Sequence, residues 1–235
     1  MRLLAHPAPR LIAACALVLA GWTQTSALAA TSHEAIPVCY NFGCKVREVV
    51  SLTPREWAEV SGWFHTPAAT AEEERQQIKQ AVGWMEVVVG NHTPTHRDKG
   101  LDTEEGAEFP GQLDCIDESL NTTTYLRLFE HQGLIRHHRV LDRAYRRALL
   151  DQHWAGQIEE LATGRRFAVD SWFQDNGILP YVQEMSEWED IPFFFSSYVD
   201  NSTEYDEYNQ NSKRSLWQSI KDRLTRRTDE TVRTD

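Results

Sequence analysis

The stretch Gln112-Leu113-Asp114-Cys115-Ile116-Asp117-Glu118 places a cysteine directly after a residue suited to cap a helix. Asp114 predicts a helix from Cys115 to about His131, with Asp117 at the box position and Gly133 as the stop. Ile116, Leu120, Leu128 and Phe129 are the expected inward face. A thiol at the positive end of a helix constrains the fold, because downstream residues of complementary chemistry have to be brought to it. His153, in Asp151-Gln152-His153-Trp154, and Asp170, in Ala168-Val169-Asp170-Ser171-Trp172, are the candidates. Trp154–Leu161 and Arg166–Trp172 read as two strands of a hairpin, joined by Ala162-Thr163-Gly164-Arg165. Both side chains then share one sheet face, with Asp170 opposite Gln157, so twist or a bulge has to bring it to His153.

Cysteine usage singles out the same residue. Residues 1–29 carry Arg2 and Arg10, an apolar run from Leu11 to Gly21, and Ala27-Leu28-Ala29, the pattern of a secretory signal peptide cleaved near Ala30. Cys15 leaves with it. Cys39 and Cys44, with Gly43 between them to allow a tight turn, suit a small disulfide loop in an oxidising compartment; two free thiols are the alternative. On that arithmetic Cys115 has no partner, and the chain is expected in the periplasm or secreted, with no transmembrane segment.

Upstream, Thr53-Pro54-Arg55-Glu56 is a capping box with proline at the first helical position, followed by Trp57, Val60 and Phe64. Thr70-Ala71-Glu72-Glu73 starts a second helix whose Ile78, Ala81, Val82, Met85 and Val89 share one face until Gly90-Asn91. These helices are expected to support the half of the domain that carries Cys115. Residues 91–111 read as a long surface loop. His92 and His96 have a metal-like gap, but Pro94 between them precludes a regular helix and no third ligand is evident. Ile135–Leu141 reads as a strand and a basic stretch follows it. The domain is expected over 30–208, with a polar tail over 209–235. In that tail Leu216, Trp217, Ile220 and Leu224 mark a short amphipathic helix that could lie on an anionic membrane or dock on the acidic body.

A formal charge of -11 argues against nucleic acid as a partner, since phosphate binding rests on Lys and Arg contacts. A thiolate nucleophile requires a lowered pKa, which a helix N-terminus or an imidazolium supplies. Asp114, Asp117 and Glu118 oppose it, so an imidazole or another cation has to outweigh them.

Helix-borne Asp114-Cys115-x-Asp117, a glycine ending that helix, a strand, then His153 and Asp170 on successive hairpin strands together resemble the transglutaminase-like fold. The spacings of 38 and 17 residues and the leader resemble its bacterial transglutaminase-like cysteine peptidases, periplasmic papain-like enzymes. The resemblance covers Gly111 to Trp172. It implies an α+β fold, with helices packed on one side of a small antiparallel sheet, and a catalytic set of Cys115 (nucleophile), His153 (base and acid) and Asp170 (orienter). It also implies calcium near Asp114 and Asp117, and a protein or peptide substrate cleaved at peptide or amide bonds. The rival expectations are a non-catalytic periplasmic binding module, using the acidic aromatic stretch Phe193–Tyr208, and a peptidoglycan amidase.

Overall fold

The computed structural model describes residues 35–101, 109–148 and 151–190. The expected leader, Phe193–Tyr208 and the tail over 209–235 lie outside them. The chain is a mixed α+β fold with two antiparallel sheets. β1 (Ile36–Tyr40) and β2 (Val46–Val50) form a hairpin. α1 (Pro54–Ser61) runs into a 3-10 turn, and α2 (Ala71–Gly90) is followed by a second one at Pro94–Arg97. α3 (Cys115–His131) precedes β3 (His138–Val140), β4 (Ala144–Ala148), β5 (Asp151–Glu160), β6 (Arg166–Asp170), β7 (Tyr181–Glu184) and the short α4 (Met185–Glu189).

The helix starts follow their caps. Thr53 and Glu56 close both halves of the capping box of α1. Thr70 accepts from the Glu73 amide, whereas the Glu73 carboxylate reaches one residue further back, to the amide of Ala69. The expected stripe of α2 (Ile78, Ala81, Val82, Met85 and Val89) is buried throughout. Each such side chain contributes roughly 1.5–3 kcal/mol when fully buried. The stripe joins one core with Tyr125, Leu126 and Phe129 of α3, and Phe129 lies 5.4 Å from Phe64, ring to ring. The inward face of α3 differs from expectation. Ile116 and Leu120 are only half-buried, while Asn121, Thr122, Tyr125 and Leu126 are buried. Gly156 of β5 explains the polar share, because a Cβ there would come 2.9 Å from Thr122 Cγ2. Helix and strand approach so closely that small side chains replace large apolar ones.

The main sheet runs β3-β5-β6-β7, with β4 pairing the first half of β5. β4 falls within the basic stretch left unassigned from sequence, and β3 is shorter than the expected strand. α3 covers the Gly156 face. On the other face Met185 and Trp188 of α4 pack against Ala144, Ala155 and Ala168, so helices lie on both sides and not on one. Behind this, Glu74 accepts hydrogen bonds from the amides of Arg136, His137 and His138, and also contacts the ring of His138 at 2.8 Å. That buried carboxylate ties β3 to α2, and His138 is structural.

The segment 91–111 is not wholly a surface loop. Thr93, Thr95 and Asp98 are buried, and Asp98 Oδ1 accepts from the Leu113 amide at 2.6 Å. Gly111 has φ +92°, and a Cβ there would meet Pro94 O at 2.1 Å, so only glycine fits this crossing in front of the cysteine. His92 pairs with Glu56 and His96 with backbone carbonyls, so each is satisfied without a metal.

Candidate active site

Asp114 caps α3 as its sequence suggests, accepting from the Asp117 amide at 2.9 Å and leaving Cys115 at the first helical position. Cys115 is a free, half-buried thiol whose Sγ lies 3.7 Å from the carbonyl oxygen of Gln152. The next residue along β5 is His153. Its ring is 2 % exposed and holds Asp170 Oδ2 at 2.7 Å through Nε2. Cys115 bears on the same ring through its charge and polar side chain, both of which raise the His153 pKa.

The contact is possible because the hairpin pairs differently from the naive reading. Gly156 faces Val169 and Ile158 faces Phe167, which sets Asp170 against Ala155, two residues nearer His153 than the expected partner Gln157. A two-residue shift preserves the face, as strand alternation demands. Leu161 belongs to the turn and not to the strand: its amide donates to His137 O, and Glu160 instead donates to Arg165 O. Asp170 and His153 then meet as diagonal neighbours on adjacent strands.

Electrostatics favour a charged imidazole. Burial pushes the His153 pKa down, but the charge and hydrogen bond of Asp170, followed by those of Cys115, raise it to about 9. The acidic neighbours of Cys115 are less negative than their number suggests. Burial, with the charges of Glu86, Asp98, Asp117 and Asp170, holds Glu118 well above the usual carboxylate range. Burial and the Asp114 charge raise Asp117 to about 7, against the amides of Cys44, Phe42 and Asp114.

Three contributors were not legible in the sequence. Trp188 of α4 donates its indole N–H to Asp170 Oδ2 at 2.7 Å, and its ring lies 5.7 Å from that of His153. Arg146, paired with His153 across β4 and β5, holds Trp188 through a hydrogen bond to its carbonyl oxygen at 3.0 Å and by covering its ring. Arg143 donates to Ser119 Oγ at 3.0 Å and lies 4.5 Å from the centre of Trp154. Ser119 is one turn after Cys115, and Trp154 adjoins His153, so this guanidinium sits at the junction of the two elements. Burial lowers its pKa and the charge of Cys115 raises it. Trp172 and Phe173 close the remaining sides of the His153 ring, at 5.0 and 5.4 Å.

No family model, curated protein or solved structure matches the chain.

Cys39 and Cys44 form a disulfide. The loop between them faces the two residues for which calcium is expected. Asp114 accepts from the amide of Gly43 at 2.9 Å, and Asp117 from those of Phe42 and Cys44 at 2.7 and 2.5 Å. With the Asp117 amide on Asp114 Oδ1, all four carboxylate oxygens already have an N–H donor. Calcium requires six to eight oxygen ligands, and amide hydrogens are the wrong neighbours for a cation. Among the described residues no group of three or more His, Cys, Asp or Glu is placed to hold a metal ion. These residues do not fit a calcium ion, and no chemical step below is routed through one. Among the same residues, no helix is long and apolar enough to cross a membrane.

Proposed function

We propose that this chain is an exported thiol hydrolase that cleaves peptide or amide bonds through a thioester at Cys115. The observation that carries the reading is one buried ring, that of His153, bonded to Asp170 through Nε2 and following directly on Gln152, whose carbonyl oxygen lies 3.7 Å from the Cys115 sulfur. Nucleophile, base and orienter need this order of contacts, and four independent sequence segments contribute to it: 114–118, 151–154, 168–172 and 185–189.

In the first step the Cys115 sulfur, having given its proton to His153, attacks the carbonyl carbon. The carbonyl π electrons move to oxygen, and the first-turn amides of α3 at Cys115 and Ile116 are the proposed donors to that charge. As the tetrahedral intermediate collapses, the carbon–nitrogen bond breaks and His153 gives its proton to the departing amine. Water then loses a proton to His153 and attacks the thioester, releasing a carboxylic acid and restoring the thiol. Asp170 keeps the ring in one orientation and steadies its positive form throughout. A protein or peptide is the proposed substrate class, as the resemblance implies.

The test is active-site titration. Iodoacetamide should label Cys115 at pH 6 at least ten times faster than an unperturbed thiol of pKa about 8.5. Cys115→Ala should abolish hydrolysis of an unfolded protein substrate, and His153→Ala and Asp170→Ala should slow it by two or more orders of magnitude. Full hydrolysis by Cys115→Ala rules the reading out. A thiol as slow as a free one favours the non-catalytic module.

A further inference from the structure

We infer that the loop closed by Cys39 and Cys44 positions Cys115, doing at Asp114 and Asp117 what the resemblance would assign to a calcium ion. The backbone carries the first part of the argument. Asn41, Phe42, Gly43 and Cys44 all have positive φ, between 55° and 66°. Three of the four carry side chains, for which the left-handed region is unfavourable. Consecutive residues of this kind turn their amides toward one side and make a concave, anion-seeking surface. Here the acceptors are the two carboxyl groups beside the cysteine, at Asp114 and Asp117.

Crosslink and carboxylates hold the loop jointly. The disulfide fixes its two ends, and the aspartates occupy the amides between them. The grip extends to both sides of the site. The Asn41 amide donates to Gln112 O at 2.8 Å, and Asn41 Oδ1 accepts from the Gly111 amide at 2.8 Å. On β1, Cys39 exchanges two hydrogen bonds with the side chain of Asn121, both at 2.8 Å, nearly two turns into α3. The approach to Cys115 and the first turns of its helix are therefore pinned to one short loop. A cation would have to expel three amide donors to reach the same oxygens, whereas the loop supplies their partial positive charge permanently. Its consequence for catalysis rests on Cys115 being the nucleophile; its structural content does not, and the experiment keeps the two apart.

The experiment is amide hydrogen exchange on the full chain, followed by mass spectrometry of the peptides spanning residues 111–121. In Cys39→Ser/Cys44→Ser, exchange over this segment should rise at least tenfold, while the middle of α3 and the β5–β6 hairpin keep their protection. Adding 5 mM calcium chloride or a chelator to the unaltered chain should change exchange by less than twofold. Should the double variant fail to fold, Asp117→Asn and Asp114→Asn in the disulfide-intact chain provide the same readout. Unchanged exchange in these variants overturns the inference, as does calcium-dependent protection of the unaltered chain. The pH 6 alkylation of Cys115 is scored separately. A fast thiol that slows tenfold or more in the variants links the loop to catalysis. A thiol that is slow in the unaltered chain removes the hydrolase reading and leaves the loop's structural role to be decided by exchange alone.

Discussion

Trp188 and His153 share a single oxygen: the indole N–H of one and Nε2 of the other both lie 2.7 Å from Asp170 Oδ2. Trp188 is wholly buried and Asp170 is 1 % exposed, so water has little access to compensate for the loss of either donor. Trp188→Phe keeps an aromatic ring, smaller than the indole, and removes the donor. Leaving a buried carboxylate short of one hydrogen bond costs about 1–3 kcal/mol. Denaturant unfolding should register that loss. Alkylation of Cys115 should slow most at low pH, where the imidazolium matters. An unchanged pH profile would mean that Trp188 only fills space.

Linkage gives His153 a signature in stability. Its folded pKa of about 9 lies above the ordinary value of 6.5, so its contribution is complete below about 6.5 and is lost as pH rises through about 9. A shift of this size corresponds to on the order of 3 kcal/mol. Denaturation midpoints between pH 6 and 10 should therefore decline in the unaltered chain and decline less in His153→Gln. Hydrolysis should fall over the same upper range as the ring loses its proton.

Glu86 acts in a lower window. Burial holds its carboxyl up at about 7, against the Ser171 hydroxyl and the Gly177 amide, the latter at 2.9 Å. An acid raised in this way favours the folded state fully below about 4.5 and loses that contribution as pH rises through about 7. Glu86→Gln should therefore be more stable than the parent at pH 8, by on the order of 3 kcal/mol, and show little difference at pH 5. Equal gaps at both values would exclude titration as the cause.

Arg143 has a hydroxyl and an indole face as its partners, and its charge acts on Cys115. Replacing it with glutamine should slow alkylation of Cys115 at pH 6 by about fivefold to tenfold, on the order of 1 kcal/mol. Arg143→Lys should restore part of the rate. Neither substitution should move the melting temperature by more than a few degrees. A rate indifferent to both would leave His153 as the only cation the sulfur needs.

Much of the site was legible because its parts obey local rules. Caps set the starts of α1, α2 and α3, and strand alternation put His153 and Asp170 on one face before their register was known. The Cys39–Cys44 pairing followed from its spacing and the intervening glycine. What escaped depends on contacts distant in sequence. The register turned on Leu161 donating to His137, a partner from another strand. Arg143 lay in an undivided basic stretch, and Trp188 in the segment 184–190, with no periodicity to read. The role of residues 41–44 depends on four left-handed dihedrals, and only the glycine among them announces such a conformation.

Because α4 furnishes the second donor to Asp170, a nascent chain that has been made only as far as the hairpin lacks a complete set of donors to this carboxylate. Cysteine, imidazole and carboxylate are all present by residue 170, yet the carboxylate waits for Trp188 to arrive. On the hydrolase reading proposed above, the thiol would reach its working state only after α4 had been synthesised and folded, which would delay its chemistry during biogenesis.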